Sequence, residues 1–247
     1  MGNGKKKFVL IGTPRVGSNY LISRINQHPD ILCHYELYSV NHVYTAFPEH
    51  YTNKGGEGEI YKDKNYRDRN PLEFLNKIYA DSSASATGFN IFPKQNDLVL
   101  EHVINNPDIY KIFIQRKNLL NSYLSLQIAT KHNAWNSLKS SKIPLKDKVF
   151  HLDCIDFELY IQGTRSFYSR LKDQLLTSGQ TYLAVEYEEL VKNSDALLNI
   201  FEYLNQTPYI SETATVFKKE NNNQVFEIVS NYQELYDFCR NKGYDFL

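Results

Sequence analysis

Near its start the chain has four consecutive apolar residues, Phe8–Ile11, that lead directly into a glycine-spaced segment. This segment has the sequence Gly12-Thr13-Pro14-Arg15-Val16-Gly17-Ser18-Asn19, and a helical pattern follows it. A strand that enters such a turn and continues as a helix presents backbone N–H groups and a positive helix end to an anion. The sequence therefore predicts an α/β fold whose first strand-to-helix turn binds a phosphate. The plain alternative is a turn without a ligand.

The glycine-spaced segment departs from the nucleotide P-loop after Gly17. An NTPase loop continues with Lys, which binds the β- and γ-phosphates, and then with Ser or Thr, which binds magnesium. Here Ser18 and Asn19 occupy those two positions, and Arg15 is the cation inside the loop. This pattern favours a phosphate ester bound without a metal over Mg-ATP.

Composition and charge argue against several classes of protein. The 247 residues have a net charge of zero, which does not favour a nucleic-acid or acidic-membrane surface. Cys33, Cys154 and Cys239 lack the spacing of a disulfide framework or a zinc site. No apolar run approaches the length of a membrane span. We expect a cytoplasmic protein with a single domain over residues 1–247, no metal, no membrane span and no nucleic-acid partner.

Apolar strand-like runs alternate with helical patterns along most of the chain. This alternation predicts a P-loop-like three-layer α/β fold with a central parallel sheet and helices on both faces. Residues 40–70 are rich in Tyr, Asn, Gly and charged residues and are predicted to form a flexible insertion or lid. Strands are predicted at 8–11, 88–92, 110–115 and 181–185, and helices at 18–27, 71–79, 98–104, 119–129, 155–176 and 190–204.

A second strand-to-helix junction, over residues 112–125, carries cations. The apolar residues 112–114 lead to Arg116 and Lys117, and Ser125 lies about two turns into the following helix. Because parallel strands end at the sheet edge where α/β proteins bind ligands, we expect Arg116 at the same edge as Arg15. The alternative is a surface Arg with a Ser on one face of a helix.

The two junctions together resemble those of the sulfotransferases that use PAPS (3′-phosphoadenosine-5′-phosphosulfate). The segment from Gly12 to Tyr20 is similar to their 5′-phosphosulfate loop. The 112–125 block is similar to their 3′-phosphate motif, a strand ending in Arg with a Ser about eight residues later. Ser125 lies nine positions after Arg116 and eight after Lys117, so both cations remain candidates for the Arg of that motif.

Five further segments resemble the bacterial branch of this family that includes nodulation-factor and trehalose sulfotransferases. The resemblance extends from about residue 8 to about residue 235 and is weakest over 40–88 and 136–155. The five segments are His34-Tyr35-Glu36, Arg116-Lys117-Asn118-Leu119-Leu120, Tyr187-Glu188-Glu189-Leu190, Lys218-Lys219-Glu220-Asn221, and Ile228 to Leu235.

The resemblance implies a PAPS-dependent sulfotransferase that needs no metal. In such an enzyme Arg15 stabilises the charge that develops on the departing 5′-phosphate. Tyr187 packs beside the adenine or, equally, in the core, and Lys218 or Lys219 contacts the 3′-phosphate or belongs to a solvated surface run. The residues implied to bind PAPS are Arg15, Val16, Gly17, Ser18, Asn19, Tyr20, Arg116, Lys117, Ser125, Tyr187, Lys218 and Lys219.

The acceptor loses a proton as it attacks sulfur, so the reaction requires a general base. The resemblance to the trehalose-type branch implies Glu36 as this base, with a salt-bridged loop Glu as the structural alternative. His34 lies two residues earlier, on the same side if the stretch is extended, and is the orienting residue or the alternative base. Asn90 and Lys94 fall where the branch often has a cation near the acceptor.

The acceptor implied by the resemblance is a hydroxyl, or alternatively an amine, of a carbohydrate or small metabolite. Aromatic residues could line its groove or simply fill the core: Trp135, Tyr38, Tyr44, Tyr51, Tyr61 and Tyr66. Three points stay open: a homodimer, a small-molecule kinase that uses Mg-ATP, and a non-catalytic module that binds phosphoadenosine.

Overall fold

The computed structural model describes residues 4–46, 57–135, 142–210 and 225–246. Its contacts divide the chain into two compact units. The first comprises Met1–Gln115 and Arg170–Thr215, and the second comprises Arg116–Ser169 and Val216–Leu247. Each unit has its own cluster of buried apolar side chains. That residues 1–247 act as a single domain stays a prediction.

The regular elements follow one another along the chain largely as the sequence predicts. A 3₁₀ helix, Glu57–Lys62, lies between β2 and α2. In chain order the strands and helices are β1 Lys6–Ile11, α1 Ser18–Ile25, β2 Ile31–Glu36, α2 Lys64–Arg69, α3 Pro71–Asp81, β3 Ala86–Ile91, α4 Asp97–Asn105, β4 Ile109–Gln115, α5 Leu119–His132, α6 Leu145–Lys148, α7 Cys154–Thr177, β5 Leu183–Glu186, α8 Tyr187–Lys192, α9 Asp195–Tyr203, α10 Val225–Ile228 and α11 Tyr232–Lys242.

The first unit is built on a parallel sheet of five strands in the order β2-β3-β1-β4-β5. Residues 8–11 of the central strand β1 have no exposed surface, because the sheet is covered on both faces. Ile11 pairs with Ile91 of β3 on one side and with Phe113 of β4 on the other. The carboxyl ends of these three strands therefore meet at one edge of the sheet.

Helices pack on both faces of this sheet, which confirms the three-layer α/β fold. On one face, Leu10 of β1 shares a core with α1 and α9. The buried positions of α1 recur at the spacing of one helical face, which explains why this segment forms an amphipathic helix. On the opposite face, the ring of Phe89 contacts the rings of Tyr38 and of Tyr79 in α3, at 5.7 and 6.4 Å between centroids.

The second unit is helical in its described part. Its core joins α5, the first part of α7, α10 and α11. Leu120, Leu124 and Ile128 of α5 lie in this core with the spacing of four that the sequence shows. The segments around Phe150 and Val229 are joined by an isolated parallel bridge. The predicted helix over 155–176 is confirmed as α7.

The predicted single helix over 190–204 is wrong, because two helices, α8 and α9, occupy this region. Asn193 between them is extended, with φ −148° and ψ 177°. Its side-chain oxygen accepts a hydrogen bond of 3.2 Å from the backbone N–H of Asp195. Asn commonly makes such a bond to the backbone two residues later, and the bond competes with helix continuation.

The predicted lid over residues 40–70 is described only in part, since residues 47–56 lie outside the described residues. The described part contains α2, which begins with a capped turn: Oδ1 of Asp63 accepts from the N–H groups of Asn65 and Tyr66. Arg67 of α2 is only 2% exposed. This end of the segment is therefore packed within the first unit.

Candidate active site

The glycine-spaced loop follows β1 and has an unusual backbone. Arg15 adopts φ 67° and Gly17 adopts φ 96°, both in the left-handed region. Non-glycine residues are uncommon there, and they occur preferentially where the surrounding structure enforces the conformation. Val16, between them, is 1% exposed and packs in the core of the sheet face that α1 covers. The buried Val16 side chain therefore anchors a loop whose backbone is tightly turned on both sides of it.

Gly17 is required at its position for two independent reasons. Its positive φ is unfavourable for any side chain, and a Cβ built there would lie 2.2 Å from Cδ2 of Tyr187. The Tyr187 ring, 9% exposed, thus packs directly on the loop, and it meets the ring of Tyr20 edge-on at 6.2 Å. Of the two predictions for Tyr187, packing is what the structure shows; contact with an adenine stays a prediction.

The N-terminus of α1 begins directly at this loop. Gly17 is its N-cap residue, and no side chain makes a capping hydrogen bond in the described structure. The first helical bond runs from the N–H of Leu21 to the carbonyl oxygen of Gly17. The N–H groups of the preceding residues have no partner within the helix, so they are suited to bind an anion. Ser18, which is 5% exposed, is the first residue of α1 and lies at this N-terminus.

Glu36 ends β2 at the carboxyl edge of the same sheet. Its Oε2 accepts a hydrogen bond of 2.6 Å from Nε2 of Gln95, in the turn after β3. Burial raises the pKa of Glu36 above its ordinary value, whereas the Gln95 hydrogen bond and the positive charge of Arg15 act in the opposite direction. Arg15 and Glu36 therefore lie close enough to interact electrostatically. The structure brings together the two residues that the sequence placed at the reacting group.

His34 does not lie beside Glu36 in the way a regular strand predicts. The pairing of β2 with β3 shifts between these residues, so that His34 pairs with Phe89 while Glu36 pairs with Asn90. Phe89 and Asn90 are adjacent in β3 and therefore face opposite sides of the sheet. His34 and Glu36, which pair with them across the register shift, also face opposite sides, so the prediction that they lie on the same side is wrong. His34 has no exposed surface, and its Nδ1 accepts a hydrogen bond of 3.1 Å from the backbone N–H of Ala46.

The chain just after Glu36 is held by a buried arginine. Nη1 of Arg67 donates hydrogen bonds to the backbone oxygens of Leu37, Ser39 and His42, at 2.7, 2.8 and 3.2 Å. The backbone N–H of Tyr44 donates to the carbonyl oxygen of Glu36 at 3.3 Å. These bonds fold residues 37–46 back onto the end of β2. They fix the backbone that directly follows Glu36.

The end of β3 supplies amides where the sequence comparison suggested a cation. Asn90 is completely buried, and neither atom of its amide has a hydrogen-bond partner among the residues that the structure describes. Lys94 is exposed and adopts φ 66° in the turn that follows. Gln95 ends this turn and reaches Glu36. Sequence reasoning missed Gln95, and its position just after a predicted strand end was the available signal.

The residues expected at the 3′-phosphate belong to the second unit. Arg116 and Lys117 follow β4 directly, and Asn118 caps α5 by accepting a hydrogen bond of 2.9 Å from the N–H of Asn121. Ser125 lies in α5 and is 7% exposed. The predicted strand-to-helix junction is confirmed, and the choice between Arg116 and Lys117 stays open. Lys218 and Lys219 lie outside the described residues.

The aromatic residues proposed for an acceptor groove divide into two groups. Tyr38 and Tyr61 are buried, at 1% and 4% exposure, and belong to the core. Tyr44 and Trp135 remain about half exposed, at 46% and 50%, and Tyr66 is partly exposed. Tyr51 lies outside the described residues. Within the described ranges, no three His, Cys, Asp or Glu side chains cluster as metal ligands would, and no helix is long and apolar enough to cross a bilayer.

The chain is similar over most of its length to two proteins named nodulation protein H. The protein from Rhizobium tropici is 26% identical over 234 residues, which are 86% of this chain and 81% of the relative. The protein from Rhizobium meliloti (strain 1021) is 22% identical over 233 residues, which are 92% of this chain and 89% of the relative. These relatives support a sulfotransferase family. It is the family that the two strand-to-helix junctions and the residues around Glu36 indicated.

No family model matches the chain. A crystal structure titled as a sulfotransferase from Alicyclobacillus acidocaldarius covers 96% of this chain and 92% of its own, with 12% identity and a TM-score of 0.47. The support for a sulfotransferase family comes from the nodulation protein H relatives.

Proposed function

We propose that this protein transfers the sulfuryl group of PAPS to a hydroxyl, or alternatively an amine, of a carbohydrate or small-metabolite acceptor. One observation carries the proposal: an arginine inside the glycine-spaced loop interacts electrostatically with a half-buried carboxylate at the same sheet edge. A group transfer that creates charge on a phosphate while removing a proton needs a cation and a base in the same site.

The proposed reaction is an in-line displacement at sulfur. The acceptor oxygen forms a bond to sulfur while the bond between sulfur and the 5′-phosphate oxygen breaks, and the electron pair of that bond stays on the phosphate. Arg15 and the N–H groups of Gly17, Ser18 and Asn19 stabilise the developing charge there, with contributions from the neighbouring Val16 and Tyr20 backbone. None of these steps uses a metal ion.

Glu36 takes the proton of the acceptor hydroxyl in this proposal. A carboxylate is a better base when its pKa approaches neutrality, and burial shifts the pKa of Glu36 in that direction. The hydrogen bond that His34 accepts from Ala46 supports a structural role for His34, since the bond holds its Nδ1 against the backbone. Recognition of the 3′-phosphate by Arg116 or Lys117, Ser125, and Lys218 or Lys219 stays a prediction from the sequence.

Calorimetry with 3′-phosphoadenosine-5′-phosphate (PAP), the product left after transfer, tests the donor. We expect an affinity on the order of micromolar in EDTA, and a much weaker one for adenosine 5′-phosphate, which lacks the 3′-phosphate. Binding of ATP that depends on Mg²⁺, with none of PAP, would instead indicate a kinase. The acceptor is then sought with PAPS and a library of hydroxyl compounds, following PAP release by mass spectrometry. Tight PAP binding without any turnover would indicate a non-catalytic binding module.

A further inference from the structure

Gln95 is hydrogen-bonded both to the backbone of its own turn and to the carboxylate of Glu36. The Phe92 N–H donates to its Oε1 at 2.9 Å, and its Nε2 donates to Oε2 of Glu36 at 2.6 Å. We infer that Gln95 is a positioning residue for Glu36, and that it directs the proton of the acceptor to the other carboxylate oxygen, Oε1. The second half of this inference rests on the proposed role of Glu36 as the base.

The orientation of the Gln95 amide is determined by the backbone. A backbone N–H can only donate, so the Gln95 atom that faces Phe92 must be the oxygen. The opposite atom, which faces Glu36, must then be the nitrogen. In a flipped amide, the Gln95 nitrogen would face the Phe92 N–H, which is also a donor, and the Gln95 oxygen would face a Glu36 oxygen, which is also an acceptor. The turn itself is closed by a 3.3 Å hydrogen bond from the Gln95 N–H to the carbonyl oxygen of Phe92, whose side chain is 8% exposed.

This fixed amide determines which oxygen of Glu36 is basic in the reaction. Nε2 of Gln95 can only donate, so Oε2 of Glu36 accepts. The hydroxyl oxygen of a protonated carboxyl is a weaker acceptor than a carboxylate oxygen, so a proton on Oε2 would weaken this bond. The proton that leaves the acceptor hydroxyl therefore binds preferentially to Oε1. The bond also favours the charged carboxylate and opposes the effect of burial on the pKa of Glu36.

Two variants of Gln95 separate hydrogen bonding from packing. Gln95→Met keeps the length of the side chain and removes its polar atoms, whereas Gln95→Glu keeps the shape and places a second carboxylate against Glu36. Gln174→Met is the matched control, since Nε2 of Gln174 donates to the Glu101 carboxylate at 3.0 Å on an exposed surface. PAP calorimetry on each variant establishes that the phosphate loop is intact.

The first readout is the pKa of Glu36 itself, measured by carboxyl ¹³C NMR in PAP-saturated protein, with the Glu36 signal assigned by its loss in Glu36→Gln. We expect this pKa to rise in Gln95→Met, to rise further in Gln95→Glu because of like-charge repulsion, and to stay unchanged in Gln174→Met. A residue that only fills space would leave the pKa of Glu36 unchanged in Gln95→Met, whereas Gln95→Glu would still raise it through like-charge repulsion. An unchanged pKa in Gln95→Met would therefore overturn the inference.

The second readout is the pH profile of kcat/KM with PAPS and a hydroxyl acceptor. Its acidic limb should move to higher pH in the same order, and kcat should fall by up to about 100-fold as the carboxylate loses its alignment. If the pKa of Glu36 rises but the acidic limb does not move, Glu36 is not the base. The proposed proton transfer would then be wrong, while Gln95 would still be shown to hold Glu36.

Discussion

Two neighbouring regions at the carboxyl edge of the sheet differ in how they are built. The proposed phosphate loop, Gly12–Gly17, is contiguous in the chain, and its key features are the backbone angles of Arg15 and Gly17. The region around Glu36 is assembled from separate parts: the end of β2, the turn after β3, and Arg67 of α2. The conformation of the loop is therefore determined by residues that are adjacent in the chain. The surroundings of Glu36 form only after the strands have paired.

This difference has a consequence for mutations. In the loop, a substitution acts through backbone conformation and through the positive charge of one arginine. Around Glu36, a substitution acts through hydrogen bonds between side chains that are distant in sequence, such as the 59 positions between Gln95 and Glu36. Variants in the two regions should therefore be distinguishable by whether they change stability, turnover or pH dependence.

The largest effect is expected at the assembled region, in Glu36→Gln. This change keeps the shape and removes the basicity, so turnover should fall by about 10²–10⁴, the usual range for a lost general base. PAP binding, measured by calorimetry, should persist. Because burial raises the pKa of Glu36, the wild-type kcat/KM should increase with pH through that raised pKa, and this limb should vanish in the variant. Retained activity in Glu36→Gln together with an inactive His34→Asn would mean that His34 is the base and that Glu36 is not.

Arg15→Ala should have the next largest effect, on kcat. In the proposed reaction its charge acts on the phosphate oxygen as the bond to sulfur breaks, and losing one such group lowers kcat by about 10²–10³. Arg116→Ala is the contrasting variant. The 3′-phosphate carries the same charge before and after transfer, so this change should raise KM for PAPS and largely spare kcat. Steady-state kinetics on both variants would show the reverse pattern if the two phosphate sites had been exchanged.

A stability effect tests the local nature of the loop. Gly17→Ala must place a Cβ at positive φ and against the Tyr187 ring, and we expect it to lower the free energy of unfolding by about 2–4 kcal/mol. Gly179→Ala is the matched control, since Gly179 has φ +66° but nothing within 4 Å of the added Cβ. Its loss should be about 1 kcal/mol. Equal losses by urea denaturation would mean that the Tyr187 contact is unimportant.

The smallest effect is expected at the enclosed amide of Asn90. Replacing it by leucine, which has the same branched skeleton, removes two buried polar atoms without partners among the described residues, so the free energy of unfolding should rise by about 1 kcal/mol. Asn96→Leu serves as the contrast, because Oδ1 of Asn96 caps α4 through a 3.0 Å bond from the Val99 N–H. That variant should lose about 1 kcal/mol. A destabilised Asn90→Leu would show that the amide has partners in solution.

The sequence was sufficient for the parts of the fold whose signals are local. Apolar runs predicted β1, β3, β4 and β5 within a few residues, and helical periodicity predicted α3, α5 and α7. The break between α8 and α9 was missed because one hydrogen bond of the Asn193 side chain outweighs an apolar pattern that continues across it. Helical periodicity registers which face is buried, and it is insensitive to a two-residue interruption.

In the candidate site, too, the sequence predicted the residues that belong to a local motif and missed those that act through distant partners. Arg15, Gly17 and Ser18 follow from one contiguous motif, and Glu36 followed from its place after the first helix in a resembling family. Gln95 and Arg67 carry no motif, because each acts through a partner about 30 to 60 positions away. The opposite facing of His34 and Glu36 depends on a shift in strand register, which is a property of the pair of strands and of neither strand alone.

By itself, the sequence determined the strand, the tight turn and the helix start that are proposed to bind an anion, since backbone angles and apolar burial act over a few adjacent residues. Only the tertiary structure decided the surroundings of Glu36: its burial, its bond to Gln95 and the influence of the Arg15 charge on its pKa. The physical reason is that the two properties depend on different neighbours. Conformational preferences are set by neighbours in the chain, whereas the basicity of a carboxylate is set by whatever the fold brings within a few ångströms of it.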